Sequence, residues 1–343
     1  MMATGAKKGI IALKKKYSEL RRILSEKLKD YKDIEIFELG DFYPAGDEHV
    51  VVSEVLGRKM PMAGIPLDIG AVVHNVETLY NIKRACCDGL PVTEKIVTIG
   101  GAVKYPIALN VPVGMRFSDL LDLAGGPTTK EYILIDGGSM MGKEAQLDDV
   151  VTKTTSALLV VPAGTLPYNA RRIRNDVQLK RARTACCQCR ICTDLCPRFL
   201  LGHKLEPHKV MRTVSFGLMD AESLINSLLC SECGLCEVTC PMGLSPRSIN
   251  ASVKKMLSEK KIRFNKTPVE SERPEGESRK FSAKKLLARL GLSDYYRPVE
   301  WADVKINVRE VKLMLKQHAG SAAVPTVKVG DRVKKNDVVA RVN

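Results

Sequence analysis

The sequence predicts a multidomain protein that combines an α/β part with an α+β part. Three observations predict this class. A helix-like N-terminal segment precedes an alternating strand, residues 94–143 read as strands around one short helix, and residues 186–241 carry a repeated cysteine pattern. Alternation of apolar and polar residues indicates a half-buried strand, whereas apolar residues three and four apart indicate a helix. A chain of 343 residues has room for about two to three such domains.

Two copies of one cysteine motif lie between residues 186 and 241. Each copy has the spacing C-x2-C-x2-C-x3-C and is followed by proline. The first copy consists of Cys186, Cys189, Cys192 and Cys196, and the second consists of Cys230, Cys233, Cys236 and Cys240. In bacterial ferredoxins this spacing holds 4Fe-4S clusters, and the fourth cysteine of each run binds the other cluster. We therefore predict two 4Fe-4S clusters with crossed ligation, in which Cys240 joins the first three cysteines and Cys196 joins Cys230, Cys233 and Cys236.

A structural zinc site is the alternative, because paired C-x2-C units also bind zinc. Zinc usually takes its four ligands as two separated pairs, so a third cysteine at the same short gap is not its usual pattern. Disulfides are disfavoured, since the N-terminus does not resemble a secretory signal and a chain of this length does not need cross-links. The cysteines therefore predict a reducing compartment. Cys86 and Cys87 lie outside the motifs and are expected to be buried.

The net charge of +15 is the main oddity of the composition. Lysine and arginine gather at residues 7–32, 171–183 and 254–285, but aromatic residues make up only 5% of the chain. Nucleic-acid binding is disfavoured because the basic runs lack interleaved stacking aromatics and a recognition motif. A solvated basic surface is favoured, part of which meets an acidic redox partner or offsets the negative charge of the thiolate-ligated clusters. No apolar run of membrane-spanning length occurs.

The first third of the chain predicts an α/β domain. Residues 7–31 have apolar residues at helical spacing and predict one amphipathic helix, and residues 33–39 alternate as a strand. A Pro-Ala-Gly turn and two carboxylates then precede an apolar run at 49–56, as before a helix. Residues 71–73 predict a strand that leads to a helix at 79–87.

The middle of the chain predicts a β-grasp module followed by a helical cluster module. Between residues 94 and 143, two strands, a helix capped by Ser118 and a further strand form the β-grasp pattern. An apolar strand follows at Ala157–Pro162. Segments 209–219, 222–229 and 254–261 around the second cysteine motif read as helices.

The C-terminal part begins with a segment at 266–282 that is rich in charge, proline, serine and glycine, which predicts a flexible linker. A short helix at 284–292 follows. Short strands with Gly-Asp and Asn-Asp turns between residues 311 and 343 are typical of a barrel-sandwich of the lipoyl type. The sequence contains only about half of the residues of such a sandwich. We therefore expect this domain to be incomplete or to be completed by another chain.

Three phrases carry a resemblance to a known family: F-Y-P-A-G-D-E at 42–48, G-I-P-L at 64–67 and V-H-N-V-E-T-L at 73–79. They resemble the flavin- and NADH-binding subunit of respiratory complex I and its relatives, the PduS-type cobalamin reductases and the RnfC-like electron transport proteins. The turn G-G-S-M-M-G at 137–142 is similar to a turn in the soluble-ligand-binding β-grasp (SLBB) domain of the same family. The order of the segments favours the PduS type.

The resemblance implies a fold of five parts. They are the C-terminal part of a complex-I-type flavin domain at 1–92, an SLBB β-grasp domain at 93–150, a helical two-cluster ferredoxin module at 165–262, a linker at 263–298 and a partial RnfC-like barrel-sandwich hybrid at 299–343.

The resemblance also implies the site and the reaction. Asp47 and Glu48, with Gly46, would line the nicotinamide–flavin site. The residues implied to contact FMN are Val73, His74, Asn75 and Thr78. NADH would donate a hydride to FMN, and the clusters would pass single electrons to a corrinoid, to a corrinoid enzyme or to a redox protein. The alternatives are an RnfC-like electron-channelling subunit of a membrane complex and a ferredoxin-type carrier without flavin.

The family's glycine-rich loop, which cradles the flavin phosphate, has no counterpart in this sequence. Both ends therefore look truncated relative to the family, and a second chain is expected to supply the loop. The implied location is cytoplasmic or the lumen of a bacterial microcompartment. The alternative location is peripheral, at the inner face of the membrane.

Overall fold

The computed structural model describes residues 1, 4–304, 306, 308, 310–317 and 320–341. The chain divides into two units. The first unit comprises Met1–Val73 and Ile173–Arg289, and the second comprises His74–Arg172 and Leu290–Asn343.

Strands and helices of the described residues are numbered in chain order. The strands are β1 (Gly9–Lys14), β2 (Ile34–Leu39), β3 (Phe42–Tyr43), β4 (Glu94–Gly101), β5 (Ile107–Pro112), β6 (Tyr132–Asp136), β7 (Lys143–Ala145), β8 (Ala157–Pro162), β9 (Phe281–Ser282), β10 (Glu300–Trp301), β11 (Val324–Pro325) and β12 (Ala340–Arg341). The helices are α1 (Ser18–Lys27), α2 (Glu48–Leu56), α3 (Val76–Asp88), α4 (Phe117–Leu123), α5 (Leu166–Arg172), α6 (Asn175–Ala185), α7 (Ile191–Asp194), α8 (Pro197–Leu200), α9 (Pro207–Phe216), α10 (Ala221–Asn226), α11 (Leu235–Val238), α12 (Pro246–Glu259) and α13 (Ala283–Leu290).

The N-terminus of the first unit is a β-α-β arrangement. β1 pairs with β2 in parallel, from Gly9 opposite Ile34 to Lys14 opposite Leu39, and α1 connects them. The strand predicted at 33–39 is confirmed, but the single helix predicted at 7–31 is wrong in its first half. The β-branched Ile10 and Ile11 of β1 favour an extended chain. β2 supplies hydrogen-bond partners that a local periodicity count does not consider.

The two helices expected after the N-terminal strand are present. α2 begins after Asp47 and ends at Gly57, which has the left-handed φ of 61° that glycine tolerates. α3 begins after Asn75. The strand predicted at 71–73 is wrong, since these residues pair with no strand in the described structure and are only half-buried or exposed. Cys86 and Cys87 of α3 are exposed, so their predicted burial is also wrong.

The helical part of the first unit carries the cysteine motifs. α9 packs against α6, α10 and α12. The core of this helical part includes Leu205, Val210, Leu229 and Val253, each at most 6% exposed. This confirms the helical character predicted between and after the motifs.

Residues 266–282, predicted as a flexible linker, contact the N-terminal part of the same unit. Lys266 forms an ion pair with Asp68 at 2.7 Å, and Lys59 donates a hydrogen bond to the carbonyl of Glu270 at 2.9 Å. β9 pairs with β3 at the end of this segment. The composition predicted the lack of regular structure but did not reveal these contacts.

The second unit is built on a sheet with the strand order β10-β5-β4-β8-β6-β7. α4 packs on it through Phe117 and Leu120, which are 1% and 0% exposed. The helix is preceded by Arg116, not capped by Ser118. β8 pairs with both β4 and β6, so the sheet includes a strand beyond the predicted limit at residue 150. At Gly101, a Cβ would lie 2.2 Å from the carbonyl oxygen of Val160, so only glycine fits.

The C-terminal segment forms less than the predicted barrel-sandwich. β10 joins the edge of the six-stranded sheet, and β11 pairs with β12 over two residues. Within the described part of residues 299–343, these are the extended pairs that form, and Val329 and Val338 are exposed. Two short strands cannot bury an apolar face between them, so no sandwich core is made. In the part of the chain that the structure describes, no helix is both long and apolar enough to cross a bilayer.

A buried ion pair fastens α3 to the sheet of the second unit. The Lys95 ammonium contacts the Glu77 carboxylate, and the two side chains are 8% and 19% exposed. The backbone N–H of Ile96 also donates to Glu77, at 3.0 Å. Nearer the C-terminus of the same helix, Asp88 pairs with Lys83 at the surface, with 37% and 60% exposure.

We expect Glu77→Gln to lower the stability of the second unit by about 3–5 kcal/mol, because it leaves the Lys95 charge buried without a counter-ion. Asp88→Asn is the matched control and should change little, because its partner is solvated. Differential scanning calorimetry of both variants measures the effect. Equal transition temperatures for Glu77→Gln and Asp88→Asn would contradict this account.

Candidate functional site

The two cysteine loops follow the same backbone course. In the first loop Gln188 and Arg190 have φ values of 55° and 62°, and in the second loop Glu232 and Gly234 have 57° and 81°. These residues occupy matching positions between the cysteines. Left-handed conformations are unfavourable for non-glycine residues, so their repetition shows that the motif spacing imposes one loop shape. Each loop then enters a short helix, α7 or α11, that carries the third cysteine.

The eight thiols gather crosswise into two sets. One cavity is lined by the set Cys186, Cys189, Cys192 and Cys240. The other cavity is lined by the set Cys196, Cys230, Cys233 and Cys236. We call these the first and second thiol sets. Each contains three cysteines of one motif and the fourth cysteine of the other, which is the grouping that the crossed prediction requires. Ligation itself stays a prediction.

The chemistry of both sets fits a 4Fe-4S cluster. Burial, with a smaller effect of neighbouring thiols, raises the pKa of Cys192 to about 12. Burial also raises the pKa of Cys230 to about 11 and the pKa of Cys196 above the usual range. Four thiolates can gather in such a place only with a strongly positive centre, and iron supplies one. Among the described residues, no three potential ligands converge closely enough to hold a single metal ion.

Polar groups next to the thiols also suit a charged cluster. The N–H of Glu232 donates to Sγ of Cys230 at 3.3 Å, and the N–H of Leu244 donates to Sγ of Cys240 at 3.4 Å. Such hydrogen bonds stabilise the more negative state of a cluster. Arg190 lines the first cavity, and two other arginines, Arg198 and Arg247, line the second.

The histidines of this region hold structure and do not complete the thiol sets. Nδ1 of His208, at the start of α9, lies 2.7 Å from Oγ1 of Thr193 on α7. At the second cysteine motif, a different pair joins the short helix to the following long one: Ser245 before α12 donates a hydrogen bond to Glu237 on α11 at 2.6 Å. His203 is 1% exposed, and burial lowers its pKa to about 3.

The two loops differ in exposure. Cys187, Gln188, Cys189 and Arg190 of the first loop are exposed, whereas Cys233, Gly234 and Cys236 of the second loop are buried. A polar groove of about 690 Å³ adjoins the first loop at Arg190. Its lining contains five cationic and five carboxylate side chains, so it has no net charge: Arg190, Lys204, Lys209, Arg273, Arg279, Asp194, Glu206, Asp220, Glu222 and Glu275.

The turn predicted to meet the nicotinamide and the flavin lies against the second thiol set. We call residues 42–47 the brace turn. The phenol of Tyr43 donates a hydrogen bond to the carbonyl of Cys233 at 2.6 Å. Asp47 caps α2 by accepting from the N–H of His49 at 3.0 Å, and it forms an ion pair with Arg198 at 3.0 Å. No sequence pattern pointed to Tyr43 or Arg198, although Arg198 follows directly after the Cys196-Pro197 pair.

The predicted FMN residues fall in both units. Gly46, Asp47, Glu48 and Val73 belong to the first unit, and His74, Asn75 and Thr78 belong to the second. Gly46 and Glu48 are exposed, and a Cβ at Gly46 would meet nothing within 4 Å. His74, Asn75 and Thr78 are exposed as well, and Asn75 caps α3 by accepting from the N–H of Glu77 at 3.0 Å. The roles of all seven residues stay predictions.

The chain matches three protein families over separate ranges. The Nuo51 FMN-binding domain matches residues 1–84, the SLBB domain matches residues 96–144, and the 4Fe-4S dicluster domain matches residues 185–245. The three kinds of domain predicted from the sequence are thereby confirmed. They support FMN and 4Fe-4S clusters as cofactors and an oxidoreductase activity.

Individual proteins show similar relationships. A component of the proton-translocating ferredoxin:NAD(+) oxidoreductase complex of Clostridium ljungdahlii is 33% identical over 169 residues, which cover 49% of this chain and 34% of the relative. Among solved structures, an NAD+-reducing [NiFe]-hydrogenase in the H2-reduced state has a TM-score of 0.41 at 21% identity, and the match covers 74% of this chain and 48% of that chain.

The cobalamin reductase PduS of Salmonella typhimurium is 42% identical over 346 residues, which cover 100% of this chain and 76% of the relative. A similarity of this strength along the whole chain shows that it belongs to the cobalamin reductase PduS family.

Proposed function

We propose that this chain carries electrons from NADH, by way of FMN and two 4Fe-4S clusters, to a corrinoid. The observation that carries the proposal is the crosswise gathering of eight cysteines into two thiol sets, one of which contacts the brace turn. When bound, FMN would accept a hydride from NADH and release its electrons one at a time. The chain's own residues hold the cofactors and set the environment in which electrons move.

The roles of the flavin residues follow from the family resemblance. By this proposal Gly46, Asp47 and Glu48 line the nicotinamide–flavin site, and Val73, His74, Asn75 and Thr78 contact FMN. The exposure of Gly46 and Glu48 supports an approach by a planar ring.

A corrinoid is the proposed acceptor because the relative from Salmonella typhimurium is a cobalamin reductase. The exposed first loop and the polar groove beside it offer a place for an acceptor. The chain would then act where its corrinoid enzyme acts, in the cytoplasm or in a microcompartment lumen. A ferredoxin-type carrier without flavin is the second candidate, because two clusters held by the thiol sets suffice for electron transfer.

The predicted domain limits are also kept as proposals. The matched ranges 1–84, 96–144 and 185–245 each fall inside one of the predicted domains.

Crossed ligation can be tested with serine variants. We expect Cys240→Ser to lose the same cluster signal as Cys189→Ser, and Cys196→Ser to lose the same signal as Cys233→Ser, because each pair lines one cavity. Iron content and the electron paramagnetic resonance (EPR) spectrum after dithionite reduction measure this. Cys86→Ser, at an exposed cysteine outside both motifs, is the control and should keep both signals. A Cys240→Ser spectrum that matches Cys233→Ser would refute the crossing.

The donor can be tested with the reconstituted protein under anaerobic conditions. We expect NADH to bleach the cluster absorbance when FMN is present and to leave it unchanged when FMN is absent. Glu48→Gln should slow the bleaching at least about tenfold if Glu48 meets the nicotinamide, since a lost transition-state contact of about 1.4 kcal/mol has that effect. Glu19→Gln on α1 is the control. Bleaching by dithionite but not by NADH with FMN would show that the chain alone is a carrier.

A further inference from the structure

Two contacts join the brace turn to the second thiol set. One contact is the hydrogen bond from the Tyr43 phenol to the carbonyl of Cys233, and the other is the ion pair of Asp47 with Arg198. Cys233 belongs to the second cysteine motif, whereas Arg198 lies two residues after Cys196 of the first. The brace turn therefore holds both chain segments that contribute to one cavity.

The hydrogen bond from Tyr43 acts where the loop turns. The Cys233 carbonyl precedes Gly234, whose φ is 81°. Burial, together with the nearby Cys233 thiol, raises the pKa of Tyr43 well above its usual value, so the phenol keeps its proton and acts as a donor. An O–H dipole that points toward the loop places its positive end on the side of the thiols.

The ion pair places two opposite charges beside the same set. Nη1 of Arg198 lies 3.0 Å from Oδ1 of Asp47, and Nη2 donates a hydrogen bond to Oδ2 at 3.1 Å. The two side chains are 11% and 12% exposed, so water screens them poorly. Arg198 lines the second cavity, so both charges lie beside this thiol set. Removal of one charge leaves the other uncompensated.

We propose that Tyr43 and the Asp47–Arg198 pair are positioning residues that set the reduction potential of the cluster in the second thiol set and leave that of the first unchanged. This inference rests on the clusters of the proposed function but not on NADH or FMN. Each cluster takes up one electron on reduction and gains one negative charge. A positive charge or a donated dipole nearby therefore raises its potential, and a negative charge lowers it.

Two conservative substitutions should shift the reduction potential of the second cluster in opposite directions. Tyr43→Phe removes a donor, so the potential of the second cluster should fall. Asp47→Asn removes a negative charge and leaves Arg198 uncompensated, so the same potential should rise. Asparagine is as good a helix N-cap as aspartate, so the start of α2 is kept. For the charge change we expect about a tenfold change in the reduction equilibrium, which is about 59 mV for one electron.

The experiment is an anaerobic redox titration with dithionite, followed by EPR, on the full chain with both clusters. The cluster signals are assigned with Cys189→Ser and Cys233→Ser. The controls are Tyr31→Phe, at an exposed tyrosine, and Asp41→Asn, at an exposed aspartate that pairs with Lys14. The inference is supported if the second cluster shifts downward in Tyr43→Phe and upward in Asp47→Asn while the first cluster and both controls stay unchanged.

Other outcomes overturn it. Shifts of equal size in both clusters, shifts of the same sign in both variants, or no shift would each contradict the proposal. If Tyr43→Phe assembles poorly, iron content decides: loss of the second cluster alone supports positioning, and loss of both clusters contradicts it. Failure of NADH to reduce the clusters would count against the proposed function and leave this titration intact, because dithionite is the reductant.

Discussion

Mutual repulsion of four thiolates is the constraint on which the first unit depends. Each thiol set gathers its members from two segments about 40 residues apart. The crosswise exchange of Cys196 and Cys240 means that neither motif can complete a site alone. Helices α6, α9 and α12 supply the apolar contacts around the loops, but only a positive metal centre and nearby arginines offset the charge of the thiolates. Folding and cluster assembly of this unit are thus one process.

Much of the site could be predicted from the sequence because its information is local. Motif spacing determines the loop shape, which is why the grouping of the thiols follows the expected crossing. The same holds for β2, for α2 and for β8, whose apolar run is short and bounded. The secondary-structure predictions were wrong where a segment distant in the sequence determines the local conformation. β1 needs β2 to become a strand, and a helical period at 7–31 concealed this requirement.

No local sequence pattern predicted the long-range contacts of the brace turn. Tyr43 and Cys233 are 190 residues apart, and Asp47 and Arg198 are 151 apart. The resemblance directed attention to Asp47 as a nicotinamide residue, whereas the fold also uses it as a helix cap and as the partner of a buried arginine. Even a substitution at Asp47 that keeps the cap therefore changes local charge and any cofactor contact together. Glu48, which is exposed and carries none of these structural bonds among the described contacts, separates the roles more cleanly.

The unequal exposure of the two loops determines the order in which oxygen damages the two clusters. Dioxygen and chelators attack clusters from solvent, and the first loop presents Cys189 at the surface while the second keeps Cys233 and Cys236 covered. Oxidative damage should thus proceed in stages and remove iron from the first thiol set before the second. A protein handled aerobically would then be a half-loaded form that still carries a redox centre but has lost the one that an acceptor can reach.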